Sequence, residues 1–255
     1  MKFTAALALA LAFFALAEAR TYNKCGYKFA VLTATSRNAN GLRRAFTTFQ
    51  NALGGIDNGN EAGPLFSGFR SINWDAEAVP FDMPFNFFDK TVTRGAVFQA
   101  AKREFRVSNP VPPPVDDRFD SLLPKRITNQ FQTFSPKRLF TPLVKNRVTQ
   151  IFKIPTLNKR AKVSGMGAVF VDVDLRRQTW MDFYTKSGCL LIRVFVPPRN
   201  RGLSFAGLYD LNGKPIIWRV VMKLGTISVQ DAGARYRGRG DVVVLDDLLY
   251  GEPAL

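Results

Sequence analysis

From residue 95 onward the chain is a succession of short apolar or alternating runs broken by Gly, Pro and Asn. They cover 95–100, 148–154, 167–175, 179–184, 190–196, 203–208, 215–224 and 241–250. Runs this short, closely spaced and bounded by turn residues read as strands. Lys186-Ser187-Gly188 and Leu211-Asn212-Gly213-Lys214 supply hairpin turns. One earlier segment has helical spacing: Leu42, Ala45, Phe46, Phe49 and Leu53, stopped by Gly54-Gly55. Many strands with a single short N-terminal helix predict a mainly β chain, an antiparallel β-sandwich of jelly-roll type. Neither an internal repeat nor a second hydrophobic core is visible, so residues 20–255 read as one domain.

Before that strand-rich region lies a different texture. Residues 54–90 place isolated rings (Phe66, Phe69, Trp74, Phe81, Phe85, Phe87, Phe88) among dense Gly, Asn, Pro and Asp. Such a stretch reads as an irregular wrap pinned by its aromatics, within an N-terminal portion spanning 20–94. Residues 109–114 hold four prolines in six positions and read as an extended surface connection.

The opening nineteen residues address the chain. Lys2 precedes an apolar run, and Ala17-Glu18-Ala19 gives the small-x-small pattern of a signal-peptidase site. The run is short for a membrane span of about 20 residues, so the expectation is a secreted, extracellular protein with no membrane span. In an oxidising compartment Cys25 and Cys189, the two cysteines, can form one disulfide. A free Cys189 buried in its apolar strand is the alternative.

Several phrases carry a resemblance. They are FQNALGG at 49–55, RSINWD at 70–75, FQTFSP at 131–136 followed by RLF at 138–140, GAVFVDVD at 167–174, and DVVVLDDLLYGEP at 241–253. Together they resemble an uncharacterised family of secreted, largely bacterial proteins. The resemblance implies a β-sandwich similar to carbohydrate-binding jelly rolls and brings no catalytic residues with it. This chain differs from the pattern in carrying Lys and Arg where small polar loop residues are usual.

Chemistry is bounded by what is missing. The chain has no His, which removes Ser-His-Asp and Cys-His catalysis and His-ligated zinc. Among the acids, Asp172 and Asp174 share a strand face two residues, or about 7 Å, apart. Asp241 begins the last strand and Asp246-Asp247 end its apolar run. Hard oxygens grouped at strand ends suit a structural Ca²⁺; solvated or Arg-paired carboxylates are the alternative.

Trp180, Asp182 and Tyr184 alternate along one strand and form the expected ligand-binding face, since sugar-binding sandwiches stack rings on pyranoses. The formal net charge is +16, spread over paired basic residues in expected turns. A surface of this kind attracts polyanions. Arg235, Tyr236, Arg237 and Arg239 hint at nucleic acid only through non-specific charge. The expectation is a secreted non-catalytic module binding carbohydrate or another anionic extracellular polymer. The alternatives are a carboxylate-dependent, glycosidase-like hydrolase and a structural or matrix protein.

Overall fold

The computed structural model describes residues 18–108, 117–235 and 240–255. The part of the expected export segment up to residue 17, the proline-rich stretch at 109–114 and the Arg/Gly stretch at 236–239 therefore lie outside the described residues. Glu18 and Ala19 are the first residues of a strand. The described strands are β1 (Glu18–Lys24), β2 (Tyr27–Ser36), β3 (Phe69–Ile72), β4 (Ala96–Gln99), β5 (Phe105–Val107), β6 (Phe140–Pro142), β7 (Arg147–Lys153), β8 (Arg160–Ala161), β9 (Gly165–Val173), β10 (Trp180–Tyr184), β11 (Leu190–Phe195), β12 (Arg199–Asp210), β13 (Arg219–Lys223) and β14 (Val244–Gly251). The helices are α1 (Ala39–Ala52), α2 (Phe87–Lys90), α3 (Lys125–Thr128) and α4 (Val229–Arg235).

The strands make two antiparallel sheets. One runs β1-β2-β12-β9-β14-β6-β5, with β3 also on β14; the other runs β11-β10-β13-β7-β4, with β8 on β7. Between them lies a core that includes Phe98, Phe152, Phe170, Met181, Phe183, Met222 and Leu248. The larger sheet is apolar on its other face too. There Val169, Val171 and Phe205 meet Phe46 and Phe49 of α1, Ile127 of α3 and Ala232 of α4. The described residues thus hold two cores, where the sequence shows no second one. The second core leaves no separate signature because β9 and β12 read as continuous apolar runs, which periodicity cannot assign to one face or two.

Helix α1 starts where Asn38 accepts a hydrogen bond from Gly41 N at 3.1 Å, and it buries Leu42, Ala45, Phe46 and Phe49. It reaches the sheet through a notch. Gly207 of β12 pairs with Gly167 of β9, and a Cβ on Gly207 would stand 2.6 Å from the Phe49 ring. The glycines there are a packing requirement rather than a turn.

The wrap is pinned by rings, as the sequence implies, and also by a buried charge. Trp74 stacks on Phe140 with centroids 4.2 Å apart and donates its indole N–H to Asp246 O at 2.7 Å. Phe66, by contrast, is fully exposed. Arg70 is buried and forms a two-pronged pair with Glu252, Nε to Oε2 at 2.8 Å and Nη2 to Oε1 at 2.9 Å. Its Nη1 donates to the carbonyls of Gly59, Glu61 and Thr93. Glu252 in turn accepts from Asn58 Nδ2 and Leu65 N.

Cys25 and Cys189 are joined as a disulfide, with Cα atoms 6.5 Å apart. Cys25 and Gly26 form the two-residue β1–β2 turn, both at positive φ, as a type I′ hairpin requires. Cys189 lies in the β10–β11 turn, so the bridge ties one sheet to the other.

Removing one partner of a buried ion pair strands the other charge. Glu252→Ala is expected to lower stability by about 3–5 kcal/mol in urea unfolding. A loss under about 1 kcal/mol would show that Arg70 finds compensation elsewhere.

Candidate functional site

Strand β10 lies between β11 and β13, and its alternation decides what faces out. Met181 and Phe183 enter the inter-sheet core, which leaves Trp180, Asp182 and Tyr184 on the outer face of the smaller sheet. All three ligand-face candidates are therefore brought together. Their surroundings are not those of a bare stacking platform. Trp180 is 7% exposed because guanidiniums cover its ring, Arg193 at 3.9 Å and Arg147 at 5.2 Å from the centroid. Arg219 lies over Tyr184 at 4.2 Å. Asp182 is 2% exposed and holds Arg193 by two 2.7 Å hydrogen bonds; the Tyr184 hydroxyl donates to the same carboxylate at 3.4 Å.

The register explains the clustering. Trp180 stands opposite Phe195 on β11 and Lys223 on β13, and Lys223 stands opposite Arg147 on β7. Two residues along, Arg193, Asp182 and Val221 form the next row; two further, Tyr184 and Arg219 are partners. At that end Trp218 N donates to Tyr184 O, and Arg160 covers the Trp218 ring at 4.3 Å. Trp218, although set among Ile216, Ile217, Val220 and Val221 in the chain, is only half-buried.

Like charges crowd here. Burial, then Arg147, holds the Lys223 ammonium below its ordinary value; burial, then Arg219, does the same to Arg160. The hydrogen bonds to Asp182 hold Arg193 above its ordinary value.

The carboxylates considered for a metal separate into two groups. Asp172 is 3% exposed rather than on a solvated strand face, because β9 is covered on both sides and turns to positive φ at this residue. It accepts from Arg201 N at 2.6 Å, while Asp241 accepts from the N–H groups of Asp174 and Leu175. Asp174 is exposed and accepts from Asn200 Nδ2. Asp246 and Asp247 fall in a break of the β14–β9 register, and Asp246 accepts from Phe134 N and from Ser135 N and Oγ. Among the described residues no group of three or more acidic or Cys side chains is arranged to hold a metal ion.

Burial, opposed by the Arg201 N–H and reinforced by Asp174 and Asp241, pushes Asp172 up to about 7. Burial likewise pushes Asp241 to about 6. It raises Asp246 well above the carboxylate range, with the charge of Asp247 adding to the effect.

Acids are buried far more often than bases. Eight carboxyl residues are buried among the described residues, against Arg70 and Arg138. Arg138, expected in an exposed turn, donates to the carbonyls of Ser108 and Ala76. Sequence reasoning favoured paired basic residues in turns and passed over the isolated Arg147, Arg193 and Arg219. The signal for them was present: Arg193 and Arg219 interrupt apolar runs and Arg147 opens one, each at an outward parity.

No protein-family model and no curated protein matches the chain. Among solved structures it matches a glycoside hydrolase family 43 arabinoxylan arabinofuranohydrolase from Bacillus subtilis, in complex with cellotetraose, at 10% identity and a TM-score of 0.28. The match covers 92% of this chain and spans 40% of the length of that one. No described helix is long and apolar enough to cross a membrane.

Asp172 yields a pH prediction. Its carboxyl is protonated in the fold below about 7 but in the unfolded chain only below about 3.8. The fold therefore takes up a proton across that window, and its stability falls as pH rises from about 4 to about 7. Asp172→Asn, which keeps an acceptor for Arg201 N, should raise Tm by several degrees near pH 8 and change it little near pH 4. A variant less stable than wild type near pH 8 would contradict this.

Proposed function

We propose that the chain is a secreted, non-catalytic binding module whose outer β10 face takes an anionic extracellular polymer. In this reading residues 1–19 direct export and the two-sheet body is a variant of the jelly-roll sandwiches that bind carbohydrate. The carrying observation is that the face offers guanidiniums laid over rings, not open rings. Trp180, Tyr184 and Trp218 are each capped by arginine, and Asp182, buried and paired with Arg193, is the acidic side chain among them. A neutral sugar finds little ring to stack on there; an anion finds several fixed cations, and it relieves their mutual repulsion.

The buried carboxyls support binding over hydrolysis. A glycosidase needs two carboxyls flanking an open sugar site, whereas Asp172, Asp241 and Asp246 are covered and accept backbone N–H bonds.

The test is binding of the chain lacking residues 1–19 to immobilised polygalacturonate and to a neutral glucan across a salt series. Polygalacturonate binding should fall at least about tenfold between about 50 and 300 mM NaCl. The Arg147→Ala/Arg193→Ala/Arg219→Ala variant should lose it, and the glucan should not bind. Equal binding to the glucan, or full retention by the triple variant, would overturn the proposal.

A further inference from the structure

The cations of the outer face form two groups rather than one smear. The first comprises Arg147 and Arg193 on Trp180, with Lys223 the cross-strand neighbour of both Trp180 and Arg147. The second comprises Arg219 on Tyr184 and Arg160 on the adjoining Trp218. Trp180 and Tyr184 are four residues apart on one strand, so the groups stand roughly 13 Å apart along β10. Between them the face is nearly neutral. Covered Asp182 offsets the charge of Arg193, so the net positive charge at the Trp180 end rests on Arg147 and Lys223, and Val221 and Thr149, partners across β13 and β7, are half-buried.

Resting on the reading above, we propose that the ligand is a linear acidic polysaccharide that lies along β10 and bridges both cationic groups, its less polar backbone crossing the Val221–Thr149 band. Arginine forks match carboxylates two bonds at a time, which suits a polyuronate. Single-stranded nucleic acid is a poorer fit, because its bases need open rings and those of Trp180 and Tyr184 lie under guanidiniums. Bridging makes the second contact intramolecular, so affinity steps up once a chain is long enough to reach both groups.

Asp182 is then a positioning residue. It fixes Arg193 over Trp180 while the Arg193 side chain stays 43% exposed, so less ordering is left for the moment of binding. Charge attraction alone predicts that Asp182→Asn, by removing a negative charge, tightens binding. A fixed Arg193 predicts that it weakens.

The experiment is calorimetric titration of the chain lacking residues 1–19 with oligogalacturonates of graded length at constant low salt. Single-stranded DNA of matched charge serves as comparison. Kd should improve by about tenfold or more over the narrow length interval in which the oligomer first spans both groups. Arg219→Ala should abolish that step and leave the shortest binding oligomers within about twofold of wild type; Arg219→Lys should restore part of it. Asp182→Asn should weaken binding at every length, with an unchanged circular dichroism spectrum showing that it folds.

A smooth gain per added charge, a step that survives Arg219→Ala, or tighter binding by Asp182→Asn would overturn the bridging arrangement and leave the polyanion reading standing. DNA bound as tightly as the longest oligomer would overturn the polysaccharide assignment. No binding by any oligomer or by DNA would overturn the underlying reading itself.

Discussion

The buried pair between Arg70 and Glu252 holds the irregular wrap before β4 in place. Residues 54–95 have few ladder hydrogen bonds of their own, so something must fix their path. Arg70 does it by spending one nitrogen on three carbonyls of that path and two on a carboxylate just beyond β14. With the wrap so fixed, Trp74, Val79, Met83, Phe87 and Phe88 all deliver side chains to the core between the sheets. That core decides which side of β10 faces inward, and hence which side is left for charge.

The strand-rich part was legible because its alternation and turn residues agree. The runs at 148–154, 179–184 and 190–196 match β7, β10 and β11 to within a residue or two. Helix α1 was legible from five apolar residues at helical spacing. Strands β3, β5 and β6 were not, since three or four residues inside an irregular stretch carry no period to count. The second core was invisible for a related reason: β9 is apolar at both parities, and only the packed fold shows that both parities are used.

The site was half legible. Parity alone placed Trp180, Asp182 and Tyr184 on one face, but what that face presents is set by side chains from other strands. Arg193 comes from β11, Arg219 from β13 and Arg147 from β7, and their meeting depends on register. The carboxylates show the same limit from the opposite direction. Asp172 looked solvated by alternation, yet a positive-φ turn and a covered sheet bury it. With eight acids inside, the exposed surface is more positive relative to the whole than the formal +16 conveys.

On the reading proposed above, anion binding is confined to the outer face around β10. Arginine-selective labelling with phenylglyoxal, read residue by residue by mass spectrometry with and without polygalacturonate, tests it most directly. Arg147, Arg193 and Arg219 should be protected, with Arg43 and Arg44 on the exposed side of α1 labelled equally in both conditions. Protection spread evenly over all exposed arginines, or concentrated on α1, would contradict it.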